Sequence, residues 1–177
     1  MTATAAEDWF VVRRVTRHLW MIAEPGHVVN WLYVGSDRAV LIDSGTGIVP
    51  IRPVVDRLTD RPVTLINTHY HFDHVGGNGA FGERLAGVRA GPPLARGTPR
   101  DLLRRYLAAF PAIIAAARAR VAADPDAFAL VPETEVRDFP AAFDPEGWLR
   151  EPATLETAWS VEGGPLSVRC VIASPPE

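Results

Sequence analysis

Apolar and polar positions alternate in short runs over the first quarter of the chain. Trp9 to Val15, His18 to Ala23, Val28 to Val34 and Ala39 to Ile42 carry β-branched and aromatic residues. Turn formers at Pro25-Gly26 and at Gly35-Ser36-Asp37-Arg38 separate them, which predicts an antiparallel meander. Asp43-Ser44-Gly45-Thr46-Gly47 then closes the fourth run. Beyond it the period lengthens: Ile51, Val54, Val55 and Leu58 share one face of a helix over Ile48 to Leu58. Val63 to Asn67 reads as a buried strand. Strand, helix and strand after a meander predict mixed α and β layers rather than a pure sandwich of sheets.

Further along, Gly79 to Leu85 predicts the start of a helix and Val88-Arg89-Ala90 a short strand. Gly91-Pro92-Pro93 and Gly97-Thr98-Pro99 mark irregular backbone. Thr98 reads as an N-cap, with Pro99 at the first helical position and Asp101 in the first turn. The helix is expected to reach about Ala109, kink at Pro111 and continue to about Ala123. With arginine at 104, 105, 118 and 120, this alanine-rich pair reads as a solvated hairpin covering the domain. A lid over the segment described below, or a dimer contact through Leu107, Phe110, Ile113 and Ile114, is the alternative. Prolines at 125, 132, 140 and 145 make residues 124–150 a long irregular connection. Ala153 to Val161 and Leu166 to Ala173 read as strands joined by a hairpin at Glu162-Gly163-Gly164-Pro165. Residues 1–8 are small and polar and are expected to fray.

Composition changes this picture little. At 177 residues, 47% hydrophobic and 22% charged, the chain suits one ordinary globular domain. All 18 basic residues are arginine, they are scattered, and net charge is −3, so the sequence shows no basic stripe for phosphates and nucleic acid is not the expected partner. The single cysteine, Cys170, allows no internal disulfide and reads as a small buried hydrophobe. Glu7, Asp8, Arg13 and Arg14 interrupt any signal-peptide core, and the apolar run Leu107 to Ala117 falls short of the ~20 residues a bilayer needs. The expected setting is cytoplasmic, without membrane or nucleic-acid partners, on a small-molecule substrate and with room for a homo-oligomer.

The chemistry lies in Thr68-His69-Tyr70-His71-Phe72-Asp73-His74-Val75-Gly76-Gly77, which leaves the end of a strand. Three of the chain's five histidines and a carboxylate fall within six residues. Imidazole and carboxylate are ligands of zinc and similar borderline metals. In extended backbone, His69 and His71 point the same way and can share one ion, while Asp73 and His74 lie past the bend, near a second position. Two ions so placed can share a hydroxide and polarise a carbonyl or phosphoryl oxygen. Gly76 and Gly77 let backbone pass close by. His18 and His27 read as structural, with His27 at most lining the mouth of the site. No nucleophile-elbow serine and no glycine-rich phosphate loop is present.

Thr68 to Gly77 resembles the signature of the metallo-β-lactamase-like hydrolases. Glu24-Pro25-Gly26-His27-Val28-Val29-Asn30 and Leu41-Ile42-Asp43-Ser44-Gly45 look like that family's early strands and aspartate-bearing turn. The resemblance covers about residues 9–80 and implies an α+β fold, the N-terminal portion of an αββα sandwich, with the helical pair of about 98–123 as an insert. It implies that His69 and His71 hold a first metal and that Asp73 and His74 hold a second. Asp73 would also be catalytic, orienting the attacking hydroxide. Asp43 would steady the site by hydrogen bonding, although it also reads as a plain turn aspartate. Zinc, as one or two ions, is the expected cofactor; iron and manganese suit the same ligand types. The reaction implied is attack of metal-bound hydroxide on an ester, thioester or amide type bond.

The family's later ligands are a third histidine, a bridging aspartate and a final histidine. This chain has no histidine after His74. Leu166 to Ala173 looks like the strand leading to the family's His-Thr-Pro-Gly-His segment, but Ser174-Pro175-Pro176-Glu177 follows, with Glu177 at or beside the expected ligand. The sequence therefore predicts one domain over 9–177 that is incomplete relative to the family. The second reading is a truncated, non-catalytic relative with a crippled metal site, acting through a partner or oligomer.

Overall fold

The computed structural model describes residues 9–24, 26–86, 98–124 and 136–150. Six strands form one sheet in the order β1-β2-β3-β4-β5-β6. These are β1 (Val11–Arg14), β2 (Leu19–Glu24), β3 (Val28–Val34), β4 (Ala39–Ile42), β5 (Val63–Asn67) and β6 (Glu83–Ala86). The first four are the expected antiparallel meander, with Met21 opposite Trp31 and Leu32 opposite Leu41. The helix α1 (Arg52–Leu58) then carries the chain across, so β5 pairs with β4 in parallel, Leu41 beside Leu65. The expected readings of 1–8, 88–90, the 153–173 hairpin, Cys170 and Glu177 lie outside the described residues.

Alternation along the strands sorts side chains onto two faces. Ile22, Leu32, Leu41 and Leu65 are fully buried against Val54 and Val55 of α1, and against Trp9, Phe81, Leu103 and Trp148. Burying each such aliphatic side chain contributes about 1.5–3 kcal/mol. Met21, Ala23 and Val11 form a smaller cluster with Val29 and Trp31. The fold is thus mixed α and β, as expected.

Four elements differ from the sequence reading. α1 starts at Arg52, with Pro53 in its first turn, rather than at Ile48. The helix expected over Gly79 to Leu85 is instead a single 3-10 turn, Asn78–Ala80, followed by β6, which pairs in parallel with β5 from Thr64↔Glu83 to Asn67↔Ala86. The helix-forming residues Glu83 to Ala86 yield to a neighbouring strand with bonds to offer. The expected helical pair is one helix, α3 (Arg100–Ala123), capped by Pro99 rather than Thr98 and unbroken at Pro111. Pro111 sits on the exposed side, where water can replace the lost backbone bond. Finally, the connection after residue 124 contains the helix α4 (Pro145–Arg150), with Pro145 at its first position and Glu146 in its first turn.

α3 has the length and apolarity to cross a membrane, which the shorter run Leu107 to Ala117 did not suggest. Its buried face, Leu103, Phe110, Ile114, Ala117 and Val121, is spent on the domain. Phe110 and Ile114, two of the residues considered for a dimer contact, pack inward with Val136 and Phe139.

Candidate metal centre

Strand direction brings the site together. β2, β4 and β5 run the same way, so their C-terminal ends, Glu24, Ile42 and Asn67, lie along one edge of the sheet. Loops beyond such carboxyl ends are where parallel strands present functional groups. Asp43 follows β4 and Thr68 follows β5, and the Asp43 amide still donates to the Ile66 carbonyl at 2.9 Å. The next turn, α2 (Phe72–Val75), has His71 as its extended N-cap residue and Asp73 in its first turn.

The two loops touch through backbone. The Ser44 amide donates to the His74 carbonyl at 2.9 Å, and the Gly76 amide to the Gly45 carbonyl at 2.8 Å. A methyl group on Gly76 would collide with the Thr46 carbonyl, so glycine is required there by close approach. Asn67 and Asn78 fasten the loop from below, the Asn67 side-chain amide donating to the His74 carbonyl at 3.1 Å and that of Asn78 to Asn67 Oδ1 at 2.8 Å.

Asp43 is the hub. Its backbone is left-handed, with φ 62°, and its side chain is nearly buried. Oδ1 accepts the Thr68 amide at 2.8 Å, and Oδ2 accepts the Thr68 hydroxyl at 2.7 Å and lies 2.8 Å from His74 Nδ1. Burial works against its charge, but the hydrogen bonds from His74 and Thr68 outweigh it and hold the carboxyl below its usual range. Burial also opposes a charged His74, yet the bond and charge of Asp43 raise that imidazole's pKa. Burial and the neighbouring His74 and His71 lower that of His69.

Proton bookkeeping fixes two tautomers. Asp43 is an acceptor only, so His74 carries its proton on Nδ1. The single Thr68 proton goes to Asp43, so the 2.9 Å contact between Thr68 Oγ1 and His69 Nδ1 has the imidazole as donor. In its neutral form each ring then keeps its lone pair on Nε2. This is the arrangement of metal-binding histidines held by a carboxylate.

Among the described residues, Asp43, His69 and His74 are the group of three donors whose ligand atoms lie within 4.8 Å of one another. The His69 ring is also 4.0 Å from that of His74 and 4.6 Å from that of His71, centroid to centroid. His71 is exposed, and Asp73 is half-buried with Oδ2 3.6 Å from His74 Nε2. Two imidazoles with carboxylates beside them fit a borderline divalent cation, which takes each ring in its neutral form.

Two groups have a place that sequence reasoning did not assign. Glu24, at the end of β2, is completely buried and bound by Trp9 Nε1 at 3.0 Å and by the Thr46 amide and hydroxyl at 2.8 and 2.5 Å. Tyr106 on α3 packs its ring 4.7 Å from Phe72 and hydrogen-bonds His27 Nδ1. Burial raises the tyrosine's pKa and pushes that of His27 down to about 4. His27 also stacks on Phe110 at 4.6 Å, so it belongs to the contact between α3 and the sheet edge.

Residues 23–175 match the family model described as the metallo-beta-lactamase superfamily. No curated protein matches. Among solved structures, a metallo-beta-lactamase from Pontibacter korlensis is 21% identical at a TM-score of 0.44, covering 51% of this chain and 50% of that one. A metallo-beta-lactamase from Pseudomonas aeruginosa in its mono-zinc form is 18% identical at 0.42, covering 47% and 44%. One from Cronobacter sakazakii with a HARLDQ motif is 22% identical at 0.43, covering 49% and 38%. The matched part thus spans half or less of each of those chains.

Proposed function

Because the chain belongs to the metallo-beta-lactamase superfamily, we propose that it is a metal-dependent hydrolase of small molecules carrying an ester, thioester or amide type bond. His69, His71, Asp73 and His74 would hold one or two divalent ions, zinc first among them, with Asp43 bracing the rings. The observation that supports this reading is the Asp43–Thr68 network, which holds Nδ1 of His69 and of His74 and turns Nε2 of each neutral ring towards a metal. A bound divalent ion would supply Lewis acidity, polarising an acyl oxygen and acidifying water. Asp73, whose Oδ2 lies 3.6 Å from His74 Nε2, would accept a proton from the attacking water and aim it. The reading keeps the expected cytoplasmic setting.

A second reading, a metal-binding relative without turnover, is favoured by the motif's supply of two ligands to each of two ions, His69 and His71 for one and Asp73 and His74 for the other. Catalytic zinc sites usually draw three protein ligands and structural ones four. One experiment separates the two. Purified protein is dialysed against zinc, its metal content measured, and an activated ester and a thioester offered as substrates. Zinc with turnover, both lost in His69→Ala/His71→Ala, supports the hydrolase. Zinc without turnover supports the second reading, and protein that takes up no zinc defeats both.

A further inference from the structure

Glu24 lies on none of the loops that carry the candidate ligands, yet the geometry ties it to them. Its carboxylate is sealed beneath the Asp43 turn, where a methyl group on Gly45 would collide with Glu24 Oε1. Three donors converge on it, namely Trp9 Nε1, the Thr46 amide and the Thr46 hydroxyl. Thr46 is bound on its other side as well, its carbonyl accepting Trp148 Nε1 at 3.2 Å. That carbonyl is also the atom against which Gly76 of the histidine loop packs. Glu24 thus grips one of the residues through which the two loops of the site abut, beside the Ser44–His74 and Gly45–Gly76 backbone bonds.

A ring of donors suits the ionised form of a carboxylate; on protonation the Thr46 hydroxyl, which can turn, accepts the added proton while Trp9 Nε1 and the Thr46 amide keep donating. Burial opposes that ionisation and pushes the pKa up to about 7, the bonds from Thr46 and Trp9 pulling the other way. The titratable groups within its field are Asp73 and His74 of the histidine loop and Tyr106 of α3. A cation at the histidine loop would add positive charge to this field and favour loss of the Glu24 proton.

We propose that Glu24 is a positioning residue for the metal centre, holding the Asp43 turn through Thr46 and coupling cation uptake at the histidine loop to release of its own buried proton. The proposal rests on the reading of that loop as a metal site.

The test compares wild type with Glu24→Gln, using zinc affinity by chelator competition and thermal melting of the metal-free protein, each across pH. Zinc affinity of Glu24→Gln is expected to be about tenfold weaker above neutral pH, within the range for residues that brace ligands. Below neutral pH, where wild-type Glu24 is also uncharged, the two affinities converge. Without metal, the melting temperature of wild type falls relative to the variant as pH rises towards 7. Equal affinities, or a deficit that is the same at every pH, overturn the proposal while leaving the metal site standing. Wild-type protein that binds no zinc removes the metal reading and the coupling with it; the metal-free melts still show whether Glu24 titrates.

Discussion

The Thr68 hydroxyl donates to Asp43 Oδ2 at 2.7 Å, and the Thr68 amide donates to Asp43 Oδ1 at 2.8 Å. One residue therefore spans the ends of two parallel strands and in doing so dictates where the proton sits on the neighbouring His69. Thr68→Val removes the hydroxyl and keeps the shape. His69 then loses its tautomer lock, and zinc affinity is expected to fall about 10–100-fold, the usual cost of losing a group that orients a ligand. Thr68→Ser should restore most of it. Thr68→Val also withdraws a hydrogen bond from the buried Asp43 carboxylate, so the metal-free protein should lose about 1–3 kcal/mol. Chelator competition with zinc checks the first expectation and calorimetry the second.

The Asp43–His74 pair predicts a pH dependence with two limbs. His74 is raised above its ordinary 6.5, so its share of stability is full below that value and is lost as pH climbs through the raised pKa. Asp43 is lowered below 3.8, so its share is present above that value and is lost as pH falls through the lowered pKa. Asp43→Asn tolerates the left-handed backbone and abolishes the charge. Urea unfolding of metal-free protein should show wild type exceeding this variant most at about pH 5 and less at about pH 9. A gap that is constant with pH would show that the pair contributes through hydrogen bonding alone.

Gly76→Ala should damage the site by geometry rather than by chemistry. The added methyl meets the Thr46 carbonyl, which is backbone and cannot swing aside. The cost expected from such overpacking is about 1–3 kcal/mol or more. Gly82→Ala, with nothing within 4 Å of the new methyl, should stay within about 0.5 kcal/mol of wild type. Denaturant midpoints of the two variants make the comparison.

His27 sets an acid limb of its own. Burial pushes its pKa down to about 4 from 6.5, so the unfolded chain binds more protons between those values and stability drains away as pH falls through them. The full effect is on the order of 3 kcal/mol. His27→Phe should flatten stability between about pH 6.5 and 4. Tyr106→Phe, which strips the imidazole of its partner, should instead cost about 1–3 kcal/mol near neutral pH.

Much of the architecture was written locally. Val28–Val34, Ala39–Ile42 and Val63–Asn67 fall at their expected bounds, because their buried and half-buried positions follow the pattern of a pleated strand packed on one or both faces. The density of imidazole at 69–74 likewise needed no coordinates to mark the loop. Elsewhere the deciding facts are not local. β6 exists because β5 offers it an edge, which overrides the helical propensity of Glu83 to Ala86. Pro145 looks like a breaker until it is seen to open α4. Glu24 enters the sequence reading only within the family-like stretch Glu24 to Asn30, and only the packing of Trp9, Thr46 and Gly45 around it reveals a buried carboxyl group. Asp43, by contrast, reads from sequence both as a bracing group and as a plain turn aspartate, and its bonds to Thr68 and His74 show what it touches.

The sheet also says something about how the molecule is assembled. Every strand hydrogen-bonds to the one made just before it, so pairing can proceed in step with synthesis, and the short separations favour fast folding. Two side-chain bonds, from Tyr106 back to His27 and from Trp148 back to Thr46, depart from those short separations. Trp148 Nε1 reaches back 102 residues to the Thr46 carbonyl, beneath the turn that presents Asp43. The histidine loop can thus be threaded early, but the floor on which it rests is finished only when α4 arrives. A nascent chain arrested before residue 148 should carry all four motif side chains on an unfinished base.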